Sequence, residues 1–214
     1  HRVAQVVWAG DQEADWTETD GFPTVPRALL SLGLSGIPYA THDVGGFSGG
    51  PRTRELMLRW IEAGAFTPVM RTHEGLRKLQ NHQVDSDEET LAHLARFSRI
   101  HAALLPYLLA VAEEAVDLGL PMIRHTILID PQWEGARTAH AQWLIGDDLL
   151  YAPVLVQGAE VVEVALPEGE WEHLFTGEVV SGRTLLTVAS PIGTPAVFVR
   201  KGTLSEIIAA IRLE

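Results

Sequence analysis

Apolar and polar positions come in repeating blocks along the first part of the chain. A short β-branched run is followed by a polar loop and then by an amphipathic stretch of helical length. Residues 3–7 have the length and branching of a buried strand and lead into Trp8-Ala9-Gly10-Asp11-Gln12, a glycine turn that finishes in a carboxylate. The pattern then predicts a helix over 23–32, with Pro23 at its first turn and Gly33 closing it. A second strand, 37–41, runs into His42-Asp43-Val44-Gly45-Gly46-Phe47. Pro51 starts a helix whose apolar face holds Leu56, Met57, Leu58, Trp60, Ile61 and Phe66. After Gly64 a third strand is expected at 67–70, ending in Arg71-Thr72-His73-Glu74-Gly75. Three such units in succession predict parallel β/α architecture, in which the loops after the strands converge on one face.

Asp85-Ser86-Asp87 supplies a capped, acidic start to a long helix reaching about 118, kinked or split at Pro106 and stopped by Gly119-Leu120-Pro121. Leu91, Leu94, Ala95, Ile100, Leu104, Leu105 and Leu108 mark its core face. His93 and His101 on this helix read as core or surface residues, since no His, Asp or Glu partner stands at metal-ligand spacing. Beyond Pro121 the period shortens. Short strands at 122–129, 149–156, 161–166, 172–175, 184–188 and 196–199, parted by Gly, Pro and Asp turns, predict an antiparallel β-sandwich. The last stretch, 205–213, has the pattern of a short helix. Two domains, 1–120 and 121–214, are therefore expected.

Composition narrows the chemistry. Of 214 residues 46% are hydrophobic, enough for a large core, and the net charge is −12 with 16 scattered Lys and Arg, which argues against a nucleic-acid partner. No apolar stretch reaches the roughly 18 residues of a membrane span, and no membrane partner is expected. With no cysteine the chain has neither disulfides nor a thiolate metal site, in keeping with a cytoplasmic location. No metal and no cofactor are expected, and homo-oligomerisation is left open. The chain begins at His1 and enters a strand at once, so it is expected to be a piece of a longer protein.

The post-strand loops gather Asp11, Asp43, Arg71, His73 and Glu74, with Trp8 and Phe47 as ring platforms. Carboxylates beside aromatic faces suit sugars, whose rings stack on aromatics and whose bonds are cleaved by paired carboxyl groups. The spacing alone leaves plain roles open: Asp11 as a turn or N-cap residue, His73 bonded to a backbone carbonyl, Arg71 in a rim salt bridge. The Gly45-Gly46 and Gly49-Gly50 pairs lack the spacing of a phosphate loop.

Taken together, Trp8-Ala9-Gly10-Asp11, His42-Asp43-Val44-Gly45-Gly46-Phe47 and Met70-Arg71-Thr72-His73 resemble the last three barrel strands of glycoside hydrolase family 31, the retaining α-glycosidases. Gly146-Asp147-Asp148-Leu149-Leu150-Tyr151-Ala152-Pro153-Val154, Pro167-Glu168-Gly169-Glu170-Trp171, Phe175-Thr176-Gly177 and Pro195-Ala196-Val197-Phe198-Val199-Arg200 resemble the C-terminal β-domain of that family. Trp8 to Gln12 and Val69 to Gly75 are most similar to the sulfoquinovosidases within it. The resemblance implies the C-terminal part of a (β/α)8 TIM barrel followed by an antiparallel β-sandwich, acting on a small α-glycoside, including α-sulfoquinovosides. It makes Asp11 the general acid/base and Trp8 part of the wall behind it. Asp43 and His73 then hold sugar hydroxyls, Arg71 supports them, Phe47 is an aromatic wall, and Gln12 joins the substrate-binding set. A general acid must keep its proton near neutral pH, which an apolar Trp-lined pocket favours. The resemblance places the nucleophilic Asp on an earlier strand, outside these residues, so the 214 residues alone are expected to be inactive. Phe47 stands where a Tyr hydroxyl is expected in the sulfoquinovosidases. An α-glucosidase, an α-xylosidase and a non-catalytic carbohydrate-binding relic are the alternatives.

Overall fold

The computed structural model describes residues 6–213. Positions 3–5 of the first expected strand lie outside the described residues. The barrel-like half begins with β1 (Val7–Trp8), a 3₁₀ turn (Phe22–Thr24) and α1 (Val25–Leu34). It continues through β2 (Ala40–Thr41), α2 (Arg54–Ala65), α3 (Glu88–Ala103) and α4 (Leu105–Leu118). β1 and β2 are parallel, with Val7 beside Ala40 and Trp8 beside Thr41. α3 and α4 break at Leu104, just before Pro106, and bend by 52°. Asp87 caps α3 by accepting from the Thr90 N–H, as the acidic start predicts.

Three expectations in this half need correction. Gly33 does not end α1; it lies inside it, where a Cβ would stand 2.9 Å from the Ile123 carbonyl oxygen and 3.0 Å from Pro121 Cβ, so the glycine serves close packing. Pro51 does not open α2, because Thr53 is the N-cap and accepts from the Leu56 N–H at 3.3 Å. The strand at 67–70 forms no ladder and leaves one parallel bridge, Val44 to Thr72. Pro68 offers no N–H, and the Val69 carbonyl is taken by the Thr41 and Thr67 hydroxyls at 2.6 and 3.1 Å.

The second half holds β3 (Ile123–Arg124), α5 (Thr126–Ile129), α6 (Glu134–Thr138), β4 (Trp143–Ile145), β5 (Leu149–Ala152) and β6 (Val161–Leu166). β7 (Glu170–His173), β8 (Val179–Ser181), β9 (Thr184–Ala189), β10 (Ala196–Arg200) and α7 (Ser205–Ile211) complete it. The expected strand at 122–129 stops after two residues because His125 Nδ1 accepts from the Ile127 N–H and starts α5. Pro153 cuts the strand expected to 156 down to β5, and the one expected at 172–175 is shifted to β7. β4 and β8 have no counterpart in the sequence reading. The strands form a six-stranded sheet in the order β3-β4-β5-β10-β7-β8, and β6 pairs with β9 in a separate ribbon.

The side-chain period of two explains how the halves join. In β4, β5 and β10, Leu144, Leu150, Ala152, Ala196 and Phe198 face the β6–β9 ribbon in one core. Their neighbours Trp143, Ile145, Leu149, Tyr151, Val197 and Val199 enter a second core shared with α1 to α4. Apart from Arg200 at the end of β10, these strands are apolar because both faces are covered, whereas β9 alternates half-buried and exposed positions.

Candidate functional site

The site lies where β1, β2 and the segment at Arg71 end side by side. Ala9 N–H donates to the Thr41 carbonyl at 2.8 Å, extending the β1–β2 pairing, and the chain then turns at Gly10. Gln12 folds back, its amide donating to the Ala9 carbonyl at 2.8 Å, while its own carbonyl accepts from Phe47 N–H at 2.8 Å and Ser48 N–H at 3.1 Å. Ser48 Oγ donates to the Asp11 carbonyl at 2.8 Å. The Asp11 and Phe47 loops are thereby stitched together. Gln12 is buried, and its side-chain Oε1 has no hydrogen-bond partner among the described residues.

Asp11 is exposed at the mouth and Trp8 is 49% exposed. The expected apolar enclosure of Asp11 is not formed by the described residues. Nor does Asp11 cap a helix: the first helical turn, Phe22–Thr24, is preceded by Gly21 and has no side-chain cap.

Asp43 is buried, and its Oδ1 lies 3.0 Å from Arg71 Nη2, whose side chain is half-exposed. Oδ1 has no hydrogen-bond donor among the described residues. The Arg71 ion pair is therefore what holds this oxygen, at a distance of 3.0 Å but without hydrogen-bond geometry. Burial pushes the Asp43 carboxyl above the usual carboxylate range; the Arg71 and His73 charges pull it back and the Asp11 carboxylate pushes it up again. Those electrostatic couplings place Asp11, Asp43, Arg71 and His73 within one field. His73 Nδ1 accepts from the Gly75 N–H at 3.1 Å, so its proton sits on Nε2, which is left as a donor. Phe47 meets the His73 ring edge to face at 4.9 Å, fixing the imidazole plane.

Residues that the sequence did not single out hold this arrangement. Arg52, almost wholly buried, donates from Nε to the His82 carbonyl at 2.8 Å, from Nη1 to the Gly45 carbonyl at 2.9 Å and the His73 carbonyl at 3.3 Å, and from Nη2 to Gln83 Oε1 at 2.8 Å. One guanidinium thus ties the loop after β2 to the loop after Arg71. Asn81 adds a second tie, accepting from Arg52 N–H at 2.9 Å and donating to the Glu74 carbonyl at 3.3 Å. Next to Asp43, His42 is buried and accepts at Nδ1 from the Trp60 indole N–H at 2.9 Å; burial pulls it down to about 4, so it is neutral at physiological pH. Nothing in local pattern marks Arg52 among 16 basic residues, and His42 was legible only as a neighbour of Asp43.

His93 and His101 have the plain roles expected of them. His93 Nε2 lies 3.2 Å from the Leu58 carbonyl, and His101 Nδ1 lies 2.9 Å from the Ala65 carbonyl. Among the described residues no group of three His, Cys, Asp or Glu could hold a metal ion. A groove of about 340 Å³ lies elsewhere, between residues 138–142 and the β6–β9 ribbon, and contains none of the site residues.

A rim of parallel-strand ends carrying Asp11, Asp43, Arg71 and His73 is where α/β-barrel enzymes place their active sites, and here it is backed by a two-sheet β-domain. Residues 1–111 match the glycosyl hydrolases family 31 TIM-barrel domain and residues 119–204 the glycosyl hydrolase family 31 C-terminal domain. The chain belongs to glycoside hydrolase family 31. It is 44% identical over 199 residues to the sulfoquinovosidase of Agrobacterium fabrum (strain C58), covering 91% of this chain and 30% of that protein. It is 41% identical to the sulfoquinovosidase of Escherichia coli (strain K12), covering 93% and 30%. A solved GH31 family sulfoquinovosidase from E. rectale, in complex with the aza-sugar inhibitor IFGSQ, superposes with a TM-score of 0.91 at 38% identity, over 97% of this chain and 32% of that one. The chain thus spans about a third of the length of these relatives.

Proposed function

We propose that the protein to which these residues belong hydrolyses α-glycosides with retention of configuration, and that α-sulfoquinovosides are its substrates. The observation that carries this reading is the convergence of Asp11, Asp43, Arg71 and His73 on one rim. Asp43 there is a buried carboxylate paired with Arg71, and Asp11 is a solvent-facing carboxylate within its field. In this account Asp11 protonates the leaving oxygen and then deprotonates the attacking water, while a nucleophilic carboxylate outside this chain forms the glycosyl-enzyme bond. Asp43 accepts from, and His73 Nε2–H donates to, hydroxyls of the sugar being cleaved. Arg71 keeps Asp43 ionised, and Phe47 and Trp8 offer apolar faces to the ring. The substrate class rests on the sulfoquinovosidase relatives at 44% and 41% identity.

Incubating the full-length enzyme with aryl α-sulfoquinovoside and aryl α-glucoside tests both parts. Faster turnover of the sulfonated substrate and initial release of the α-anomer, followed by NMR, are expected. Initial release of the β-anomer overturns retention, and preference for the glucoside overturns the substrate class.

A further inference from the structure

α2 lies between the site and the β-domain, and its two sides make different bonds. Glu55, Arg59, Glu62 and Phe66 recur at spacings of four, three and four and so line one stripe. Each is held by a group from the C-terminal half. Gly158 N–H donates to Glu55 Oε1 at 2.7 Å, Arg59 Nη2 donates to the Ala159 carbonyl at 3.1 Å, Gly193 N–H donates to Glu62 Oε1 at 2.6 Å, and the Trp143 indole donates to the Phe66 carbonyl at 2.8 Å. Arg59 and Glu62 are buried and pair with each other at 3.3 Å. Arg96 of α3 secures the same loop by donating to the Gly193 carbonyl at 2.5 Å.

On another side α2 carries Trp60 and Gly64. Trp60 donates to His42, and Gly64 admits Val44 so closely that a Cβ there would stand 2.5 Å from Val44 Cγ2. His42 and Val44 flank Asp43 in sequence. Both neighbours of the buried carboxylate are therefore set by the placement of α2. A helix anchored only for stability is served as well by apolar contacts, since a buried ion pair seldom gains over them. Four directional bonds along one stripe fix its position along and about its axis.

We propose that the C-terminal β-domain is a positioning element of the sugar site: its loops hold the polar stripe of α2, and α2 places Asp43 through Trp60 and His42. Glu62 and Trp60 are then positioning residues. The inference rests on Asp43 being a sugar-binding group.

In the full-length enzyme, Glu62→Ala is expected to lower kcat/KM about tenfold, because a small misplacement of a binding group weakens transition-state contacts. Glu62→Gln keeps the acceptor for Gly193 and is expected to restore it to within about threefold. In an Asp43→Asn background, Glu62→Ala is expected to cost less than about twofold, since the contact it positions is already lost. Equal losses in both backgrounds overturn the proposal. Should Glu62→Ala fail to fold, Trp60→Phe replaces it in the same cycle, removing the donor to His42 together with part of the buried ring, and a loss undiminished in the Asp43→Asn background overturns the link from α2 to Asp43. The Trp60 indole N–H resonance gives a readout independent of catalysis: Glu62→Gln leaves it in place and Glu62→Ala shifts it, whereas an unmoved signal in both overturns the coupling. An enzyme inactive on every α-glycoside would remove the proposed function, and the indole signal would still decide whether the β-domain reaches His42.

Discussion

Replacing Arg52 by Met keeps most of the side-chain bulk and removes the guanidinium that ties the two site loops. Arg52 is 2% exposed and makes three bonds of 2.9 Å or shorter, to the carbonyls of His82 and Gly45 and to Gln83 Oε1. Among the described residues no carboxylate pairs with it, and burial pulls its pKa down to about 10, so holding the charge costs about 3 kcal/mol relative to water. Bonds from a charged donor contribute about 1.5–3 kcal/mol each, which puts the three together at about 4.5–9 kcal/mol and the net near 1.5–6. Arg52→Met removes that net and leaves buried acceptors unpaired, so a loss of about 3 kcal/mol or more is expected. In the full-length enzyme, about three times this length, the unfolding entropy is correspondingly larger and this lowers the melting temperature by about 2 °C or more. Because the Gly45 and His73 carbonyls are released at the same time, KM should rise as well. Thermal melts and steady-state kinetics on the full-length enzyme give both numbers. A melting temperature unchanged from wild type, with KM unchanged, would refute the view that this guanidinium organises the rim.

Two other perturbations follow from the same structure. Asp43, raised by burial, takes a proton as pH falls through its elevated value, so KM should climb on the acid side. The fold meanwhile loses stability as pH rises across the window between the ordinary and the raised value, where the folded state alone holds the proton. Arg71→Gln removes the largest opposing influence and should move the acid limb of the KM profile to higher pH; a limb that stays put means Arg71 does not keep Asp43 ionised. Gly33→Ala, with its Cβ 2.9 Å from the Ile123 carbonyl, should destabilise by about 1–3 kcal/mol in spite of alanine's better helix propensity, and a stabilised variant would contradict the packing role.

Much of the architecture can be read in the residues because burial leaves a period. The runs of β5 and, up to Val199, β10 are apolar at every position since both faces are covered, and the β/α alternation of the first half shows the post-strand loops directly. Local competition hides the rest. Thr41 and Thr67 hydroxyls occupy the Val69 carbonyl, Pro68 withholds an N–H, and the third strand shrinks to one bridge, while His125 turns an apolar run into a helical turn. At the site, Asp11, Asp43, Phe47, Arg71 and His73 were visible as polar or aromatic residues at strand ends. The fasteners were not, because Arg52, Asn81 and Trp60 act over separations that no window spans. Nor does the local pattern show that the Gln12 amide folds back onto the Ala9 carbonyl.

The role of Asp11 is the claim on which the account depends, and the most direct measurement is the leaving-group dependence of Asp11→Asn in the full-length enzyme. A general acid/base contributes about 10² to 10⁴ to turnover, so substrates with poor leaving groups should lose that much. Activated aryl glycosides, which scarcely need a proton, should lose far less in glycosylation, and azide should restore turnover by replacing the water that Asn cannot activate. An equal loss on natural and activated substrates, with a lowered melting temperature and no azide rescue, would return Asp11 to a turn residue.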